Sequence, residues 1–189
     1  MRKVLAAFLL CIPLCAAAPQ PKVKITTSLG AFTVQLEPDT VPITVDNFLK
    51  YVHKGFYNGT IIHRIAKSPA VIQGGGLLPD MSKKKTEAPI KNEADIAKAK
   101  GLLNKRGTIA MARESFPDSA KAQFFVNVKS NPDLDFKAKN LADYGYCVFG
   151  KVVQGMEVVD KIARVKCRPK PNEQTPAVAV TIVSAEEVK

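Results

Sequence analysis

Apolar and polar positions alternate with a period of two along much of this chain, the period of strands that bury one face. Val23 to Thr27 alternates apolar residues with lysine and threonine, Ser28-Leu29-Gly30 signals a turn, and Ala31 to Glu37 resumes the alternation. Phe32, Val34 and Leu36 fall on one face, which predicts a hairpin with one buried side. The period then changes. Val45, Phe48, Leu49 and Val52 follow the i, i+3, i+4, i+7 spacing of an amphipathic helix. Pro42 opens that helix, where a missing N–H is harmless, and Gly55 lies at its end. Asn58-Gly59 is a turn signal that leads into the next strand.

The stretch Ile61–Gly76 follows. It opens as a β-branched run, carries a cation at Arg64, loops through Ser68-Pro69 and returns as Val71-Ile72-Gln73 before three glycines. A strand–loop–strand that brings an arginine and a glutamine together makes a polar pair with apolar walls, a floor for a small ligand with a polar backbone. Leu77 to Lys105 is basic and weakly patterned, with loops and a short excursion around Asn92-Glu93. Gly107–Ala112, Gln123–Val128 and Tyr146–Val153 read as strands, with Gly150 a bend or bulge. In the second of these, Phe125 lies on the opposite face from Phe124 and Val126. Gly155 precedes a second helix with Met156, Val159, Ile162 and Ala163 on one side, Arg168 to Pro176 is a proline-containing loop, and Ala177 to Ala185 closes the chain as a strand. Many short strands, two helices, no internal repeat and no long linker predict a mainly β, closed antiparallel barrel. Its first and last strands would pair, and the two helices would cap its ends.

Composition narrows the picture. The 189 residues suffice for one domain. Residues 1–18 read as a cleaved signal peptide: Arg2 and Lys3 precede an apolar run, Val4 to Leu14, that is too short to span a bilayer and is broken by Pro13. Cys15-Ala16-Ala17-Ala18 supplies the small residues for cleavage near Ala17 or Ala18. Lipid attachment at Cys11 or Cys15 is disfavoured, because the preceding residues are Leu10 and Leu14. Residues 19–189 are then expected as a single domain, periplasmic or secreted, without stable membrane insertion. The net charge of the full chain is +11, and removing Arg2 and Lys3 lowers it by two. Lysine and arginine are scattered, densest at Lys83-Lys84-Lys85, which fits a soluble basic surface better than an acidic partner or a membrane. With no tryptophan and no arginine-rich helix, nucleic acid is not an expected partner.

Cys147 and Cys167 remain after cleavage. An exported chain could join them, although spacing alone does not place them in bonding reach, and the apolar run around Cys147 equally suits burial. With only His53 and His63 as histidines and no Cys-x-x-Cys, metal catalysis and a Cys–His nucleophile pair are poorly supported. The triple glycine lacks the Lys-Ser/Thr of a phosphate-binding loop. Strict alternation puts His63 on the face opposite Arg64, as a packed histidine rather than an acid or base.

Four segments stand in order: His63-Arg64 with Ile72-Gln73-Gly74-Gly75-Gly76; Arg106-Gly107-Thr108-Ile109-Ala110-Met111-Ala112; Gln123-Phe124-Phe125-Val126-Asn127; and Gly145 to Met156. Each alone is a weak signal. In this order, and over roughly residues 22–185, they resemble the cyclophilin-type peptidyl-prolyl cis–trans isomerases, most closely the exported bacterial branch. The resemblance implies an eight-stranded antiparallel barrel capped by two helices. It implies proline-containing polypeptides as substrates, no cofactor, and a monomer. It makes Arg64 the catalytic arginine, Gln73 the glutamine that orients it and touches substrate backbone, and Phe125 the floor of the proline slot. Ala112 and Leu134 match smaller contacts, and Tyr146 stands where many members carry histidine. Arg113 stands where many use asparagine to bind substrate backbone. Each of these residues also has a plain structural reading, Arg64 as an ion-pair partner and Phe125 as ordinary core; their order along the chain favours the site.

The departures are local. Eight residues, Ile65 to Ile72, separate Arg64 from Gln73, one more than the family pattern. Aligned backwards from Gln73, Ala70 and Val71 take the places of an apolar Phe-Met wall, and Asp133 takes a rim position often held by a large aromatic. A phenylalanine side chain is worth ~1.5–3 kcal/mol when fully buried, so a looser slot is expected unless Phe116 and Pro117 fill it from the neighbouring loop. Two activities therefore compete: a prolyl isomerase assisting the folding of exported proteins, with reduced activity, and a barrel of the same kind that holds Pro-containing segments with little catalysis.

Overall fold

The computed structural model describes residues 20–188, so the signal peptide read over 1–18 lies outside the described residues. Eight strands form a closed antiparallel barrel: β1 (Lys22–Thr27), β2 (Gly30–Leu36), β3 (Ile61–Lys67), β4 (Ala70–Gly74), β5 (Thr108–Met111), β6 (Phe124–Asn127), β7 (Val148–Gln154) and β8 (Val180–Val188). Their order around the barrel is β1-β2-β7-β5-β6-β4-β3-β8. The first and last strands pair, Lys22 against Val188, as expected for a closed barrel of many short strands. Closure leaves no strand edge open to association.

The interior is filled by the inward residues of the strands. Val23, Ile25, Phe32, Val34, Leu36, Ile72, Ile109, Phe124, Val126 and Ile182 are all buried in one apolar cluster. Helix α1 (Pro42–His53) adds Val45, Phe48, Tyr51 and Val52 to it. The Phe48 ring lies within 5.0–5.8 Å of the rings of Tyr57, Phe124 and Phe149. A short helix, α2 (Ala94–Ala99), occupies the segment read as loops, and α3 (Met156–Ala163) packs Val159 and Ile162 into the core. Helix α2 has only six residues, too few to show a helical period against its polar neighbours. Gly150 does mark a bulge in β7, where Ile109 pairs with Gly150 but Ala110 pairs with Val148; a side chain there would collide with the Gln35 carbonyl.

Helix α1 lacks a local cap, because its N-cap residue is Val41. Glu93, on the chain just before α2, supplies one across the structure. Its carboxylate accepts from the backbone N–H of Thr44 at 2.8 Å, the Thr44 hydroxyl at 2.7 Å and the Ile43 N–H at 3.3 Å. Negative charge at the positive end of a helix is favourable, and the side chain is buried at 2% exposure, so these bonds are shielded from water.

One reading from the alternation is corrected. The register of β3 against β4 slips between Ile62, opposite Gly74, and Arg64, opposite Gln73. Ile62 and Ile65 both enter the interior cluster. The extra residue of this bulge lets His63 and Arg64 line the same cavity outside the barrel, so His63 does not face away from Arg64. Burial, which outweighs the opposing effect of the Ile61 backbone, holds the His63 imidazole below its ordinary value of 6.5, and the Arg64 charge pushes the same way. Its Nδ1 is buried without a partner.

Two measurements check these packing arguments. Glu93→Ala is expected to cost about 2–3 kcal/mol in urea unfolding, by stranding buried donors of α1, and Glu93→Gln less; a cost below about 0.5 kcal/mol for the alanine variant would remove Glu93 as the cap. For His63, the unfolded chain takes up a proton below pH 6.5 that the folded chain resists. Stability should therefore fall as pH drops from 6.5 toward the folded value, and His63→Gln should flatten that slope. An unchanged slope in the variant would contradict the burial argument.

Candidate active site

The outer face of the barrel carries a second, smaller apolar cluster: Ala66, Val71, Ala110, Phe125 and Val148 are buried in it, with Leu102, Ala112, Leu134 and Tyr146 packed against them. The period of two produces it. Phe124 points into the barrel and Phe125 out of it, at 4% exposure. The Phe125 and Tyr146 rings meet edge to face, with centroids 5.5 Å apart at 81°. The Arg113 guanidinium lies 4.8 Å above the Tyr146 ring and donates from Nε to the Gly145 carbonyl at 2.9 Å. The stack Arg113–Tyr146–Phe125 therefore fixes the tilt of the central ring.

Beside this apolar patch stands a line of polar side chains. Arg64 of β3 and Gln73 of β4 are register partners, and Gln73 is in turn opposite Phe125 of β6. The Arg64 Nη1 donates to Gln73 Oε1 at 3.2 Å, and Gln73 Nε2 donates to Gln123 Oε1 at 3.1 Å. The glycines of the same stretch make this line fit. A Cβ on Gly76 would sit 2.5 Å from Gln123 Cγ, and Gly75 has a left-handed φ of +82°. Gln73 accepts from the cation through its oxygen and donates through its nitrogen to Gln123, so the line runs in one sense, away from the cation.

The sequence readings fall into two groups. Arg64, Gln73, Phe125, Val71, Ala112, Leu134 and Tyr146 are brought to one outer region of the barrel. Arg113 reaches it through Tyr146, and its own backbone N–H and C=O have no partner among the described residues. Ala70 is set apart. It lies at the tip of the β3–β4 hairpin with the parity of Ile72, outside the apolar cluster, and it is tied there through its backbone. Its N–H donates to Asn131 Oδ1 at 3.0 Å and its carbonyl accepts from Asn131 Nδ2 at 3.2 Å. Phe116 is 67% exposed and belongs to neither cluster, so it does not fill the place beside Val71. The patch is completed instead by Ala66, Leu102, Ala110 and Val148.

Several contributors escape the sequence reading. Asp135 accepts from the backbone N–H and side-chain amide of Asn104, at 2.7 and 2.9 Å. Asn127 donates to Asn104 at 3.2 Å and Asn131 donates to Asn127 at 2.7 Å. This buried amide network joins the hairpin tip at Ala70 to the 3₁₀ turn Pro132–Leu134, and so sets the height of Leu134. Apart from Asn127, at the end of β6, its members are polar residues in loops, without periodicity to mark them. In the sequence Gln123 is legible only as the start of a strand, and Gln174 only as part of a loop. A groove of about 150 Å³ adjoins the line at Gln73 and Gln123, with Lys83, Lys84, Arg113 and Lys121 among its walls. Cys147 and Cys167 are both free in the structure. Cys147 is buried beside the Thr44 hydroxyl, and burial pushes its thiol up to about 12, so it carries no nucleophilic role.

What this arrangement offers is a fixed cation, two amides and an apolar patch on paired strands. It holds no activated nucleophile, and the described residues contain no group of three side chains arranged to bind a metal.

Comparison with known proteins gives the arrangement a family. Residues 22–187 match the family described as cyclophilin type peptidyl-prolyl cis-trans isomerase/CLD. The chain is 47% identical over 178 residues to peptidyl-prolyl cis-trans isomerase A of Dickeya dadantii, covering 94% of this chain and 90% of that protein. It is 52% identical over 136 residues to peptidyl-prolyl cis-trans isomerase B of Escherichia coli, covering 72% and 80%. A cyclophilin-type isomerase of Cryptosporidium parvum, solved in the presence of the dipeptide Ala-Pro, superposes with a TM-score of 0.72 at 25% identity, covering 89% of this chain and 99% of that one. The closed barrel, the outer apolar patch and these matches together make the chain a member of the cyclophilin-type peptidyl-prolyl cis-trans isomerases.

Proposed function

We propose that Arg64 is the catalytic residue of this isomerase and that the outer patch floored by Phe125 is its proline slot. The reaction explains why these groups suffice. Rotation about an Xaa–Pro amide breaks its resonance against a barrier of ~18–20 kcal/mol. As the amide twists, the proline nitrogen gains a lone pair that the planar ground state lacks. A donor aimed at that nitrogen therefore binds the twisted state more strongly than either planar one, which is the condition for catalysis. Arginine suits the task, because its charge is permanent and its donors are held in a plane. The pyrrolidine ring would lie on Phe125 between Val71, Leu134 and Tyr146, with Ala112 at the side. The unpartnered backbone groups of Arg113 would hold the substrate backbone, as would Gln73.

The observation that carries this reading is the Arg64–Gln73–Gln123 line set directly beside the buried outward ring of Phe125. The Ala-Pro dipeptide present with the Cryptosporidium parvum structure supports a proline-containing ligand for the same fold.

Three finer points belong to the same proposal. The slot is shallow on one side, since Ala70 points away from it, Phe116 stands clear, and Asp133 has a side chain 95% exposed at the rim; reduced turnover relative to isomerases with a fuller wall follows. The basic, cleavable leader read from residues 1–18 argues for work outside the cytoplasm, on exported proteins whose Xaa–Pro bonds isomerise in tens to hundreds of seconds unaided. The proposed active unit is a monomer. The same shallow slot favours a second reading, a weakly catalytic holder of Pro-containing segments.

One assay separates these readings. Micromolar protein lacking residues 1–18 should accelerate Xaa–Pro isomerisation in a tetrapeptide, and Arg64→Ala should lower kcat/KM by roughly 100-fold with the unfolding midpoint unchanged. Binding of the peptide without acceleration would favour the holder. An active Arg64→Ala would show that the arginine has no catalytic part.

A further inference from the structure

The loop between α3 and β8 lies beside Arg64 and is hydrogen-bonded to β3 through Gln174. Residues 166–177 form a self-bonded turn: Arg168 N–H donates to the Thr175 carbonyl at 2.8 Å, Ala177 N–H to the Lys166 carbonyl at 2.9 Å, and Thr175 N–H to the Asn172 carbonyl at 2.9 Å. From this turn Gln174 makes two bonds to consecutive residues of β3. Its backbone carbonyl accepts from the Ile65 N–H at 2.6 Å, and its side-chain Oε1 accepts from Arg64 Nε at 2.7 Å. The second bond is shorter than the 3.2 Å link between Arg64 and Gln73.

We propose that Gln174 is a positioning residue for the isomerisation site, fixing the direction in which the Arg64 guanidinium presents its remaining N–H groups. The proposal rests on the reading of Arg64 as the catalytic group.

Three features argue for it. An arginine side chain has many rotamers, and a single acceptor leaves its plane free to turn about the bond to that acceptor. Gln73 on Nη1 and Gln174 on Nε are two acceptors at different nitrogens, and together they fix the plane. Among the described residues Nη2 donates to nothing, so the arrangement leaves N–H groups for a substrate nitrogen. Gln174 is exposed to solvent, where water competes for its amide. Its backbone bond to Ile65 answers this, since it delivers the side chain to Arg64 already oriented. Finally, both acceptors are neutral amides. A carboxylate in the same place would also orient the arginine, but it would draw the guanidinium charge into an ion pair and away from the twisting amide. The exposed carboxylate next door, Glu173, makes no such bond to Arg64.

The test uses Gln174→Met, which keeps length without an acceptor, and Gln174→Glu, which keeps the acceptor and adds charge. Wild type and Arg64→Ala run alongside. Magnetisation-exchange kinetics on an Xaa-Pro peptide give kcat and KM, and the ¹⁵N–¹H Nε resonance of Arg64 reports its hydrogen bond. Gln174→Met should lower kcat about tenfold, leave KM within about twofold, and move the Arg64 Nε–H resonance. Gln174→Glu should keep a hydrogen-bonded Nε–H resonance and still lower kcat. A kcat for Gln174→Met within about twofold of wild type would overturn the proposal, as would a loss of kcat with the Arg64 resonance unmoved, which would mark a general structural effect. An unimpaired Arg64→Ala is a separate failure, because it removes the catalytic reading of Arg64 itself.

Discussion

A closed barrel of eight strands whose interior is packed with side chains has no room inside for a ligand. That constraint decides where this protein can act. The site has to be built on the outer face, from residues whose strand neighbours are committed to the core. Phe124 and Phe125 show the division in two consecutive positions: one ring packs against Phe48 and Tyr57, the other faces outward beside Tyr146. The outward ring is nonetheless buried, because Val71, Ala110 and Val148 from three other strands and Leu134 from a turn surround it.

Rigidity follows from the same construction. The groups that would meet a twisting amide sit on paired strands, and their directions are set by neighbours that do no chemistry. Gly76 leaves space for Gln123, Gln123 accepts from Gln73, and Gln73 accepts from Arg64. On the apolar side, Arg113 covers Tyr146 and Tyr146 tilts against Phe125. The Asn104–Asp135–Asn127–Asn131 network holds together the hairpin tip and the turn that flank the patch. The reaction needs only a small change in hydrogen bonding as one bond rotates, so a site that moved with its substrate would lose the distinction between planar and twisted states.

Strand periodicity makes most of the barrel legible in the amino-acid sequence. The opening hairpin, α1 and the opposite facing of Phe124 and Phe125 follow from periods of 2 and 3.6, and the pairing of first and last strands follows from closing a barrel of many short strands. What stays hidden has physical reasons. The bulge at His63 adds one residue to β3, and a strict period carries every later side chain to the wrong face, so alternation alone misplaces His63. The Glu93 cap and the amide network join segments far apart in sequence, where no spacing rule applies. Gln174 sits in a loop of prolines and polar residues that looks like many surface loops. The expectation that Phe116 fills the thin wall fails because its loop turns the ring to solvent.

The central claim is that Xaa–Pro rotation takes place on the outer face, on Phe125 and within reach of Arg64. Nuclear Overhauser and exchange spectroscopy on a ¹³C-labelled Xaa-Pro peptide with the protein tests it most directly. The account predicts cis–trans exchange cross-peaks at catalytic protein concentration, together with contacts from the proline ring protons to the Phe125 ring and the Val71 methyls. Exchange accompanied by contacts to a different face of the barrel, with none to Phe125, would contradict it.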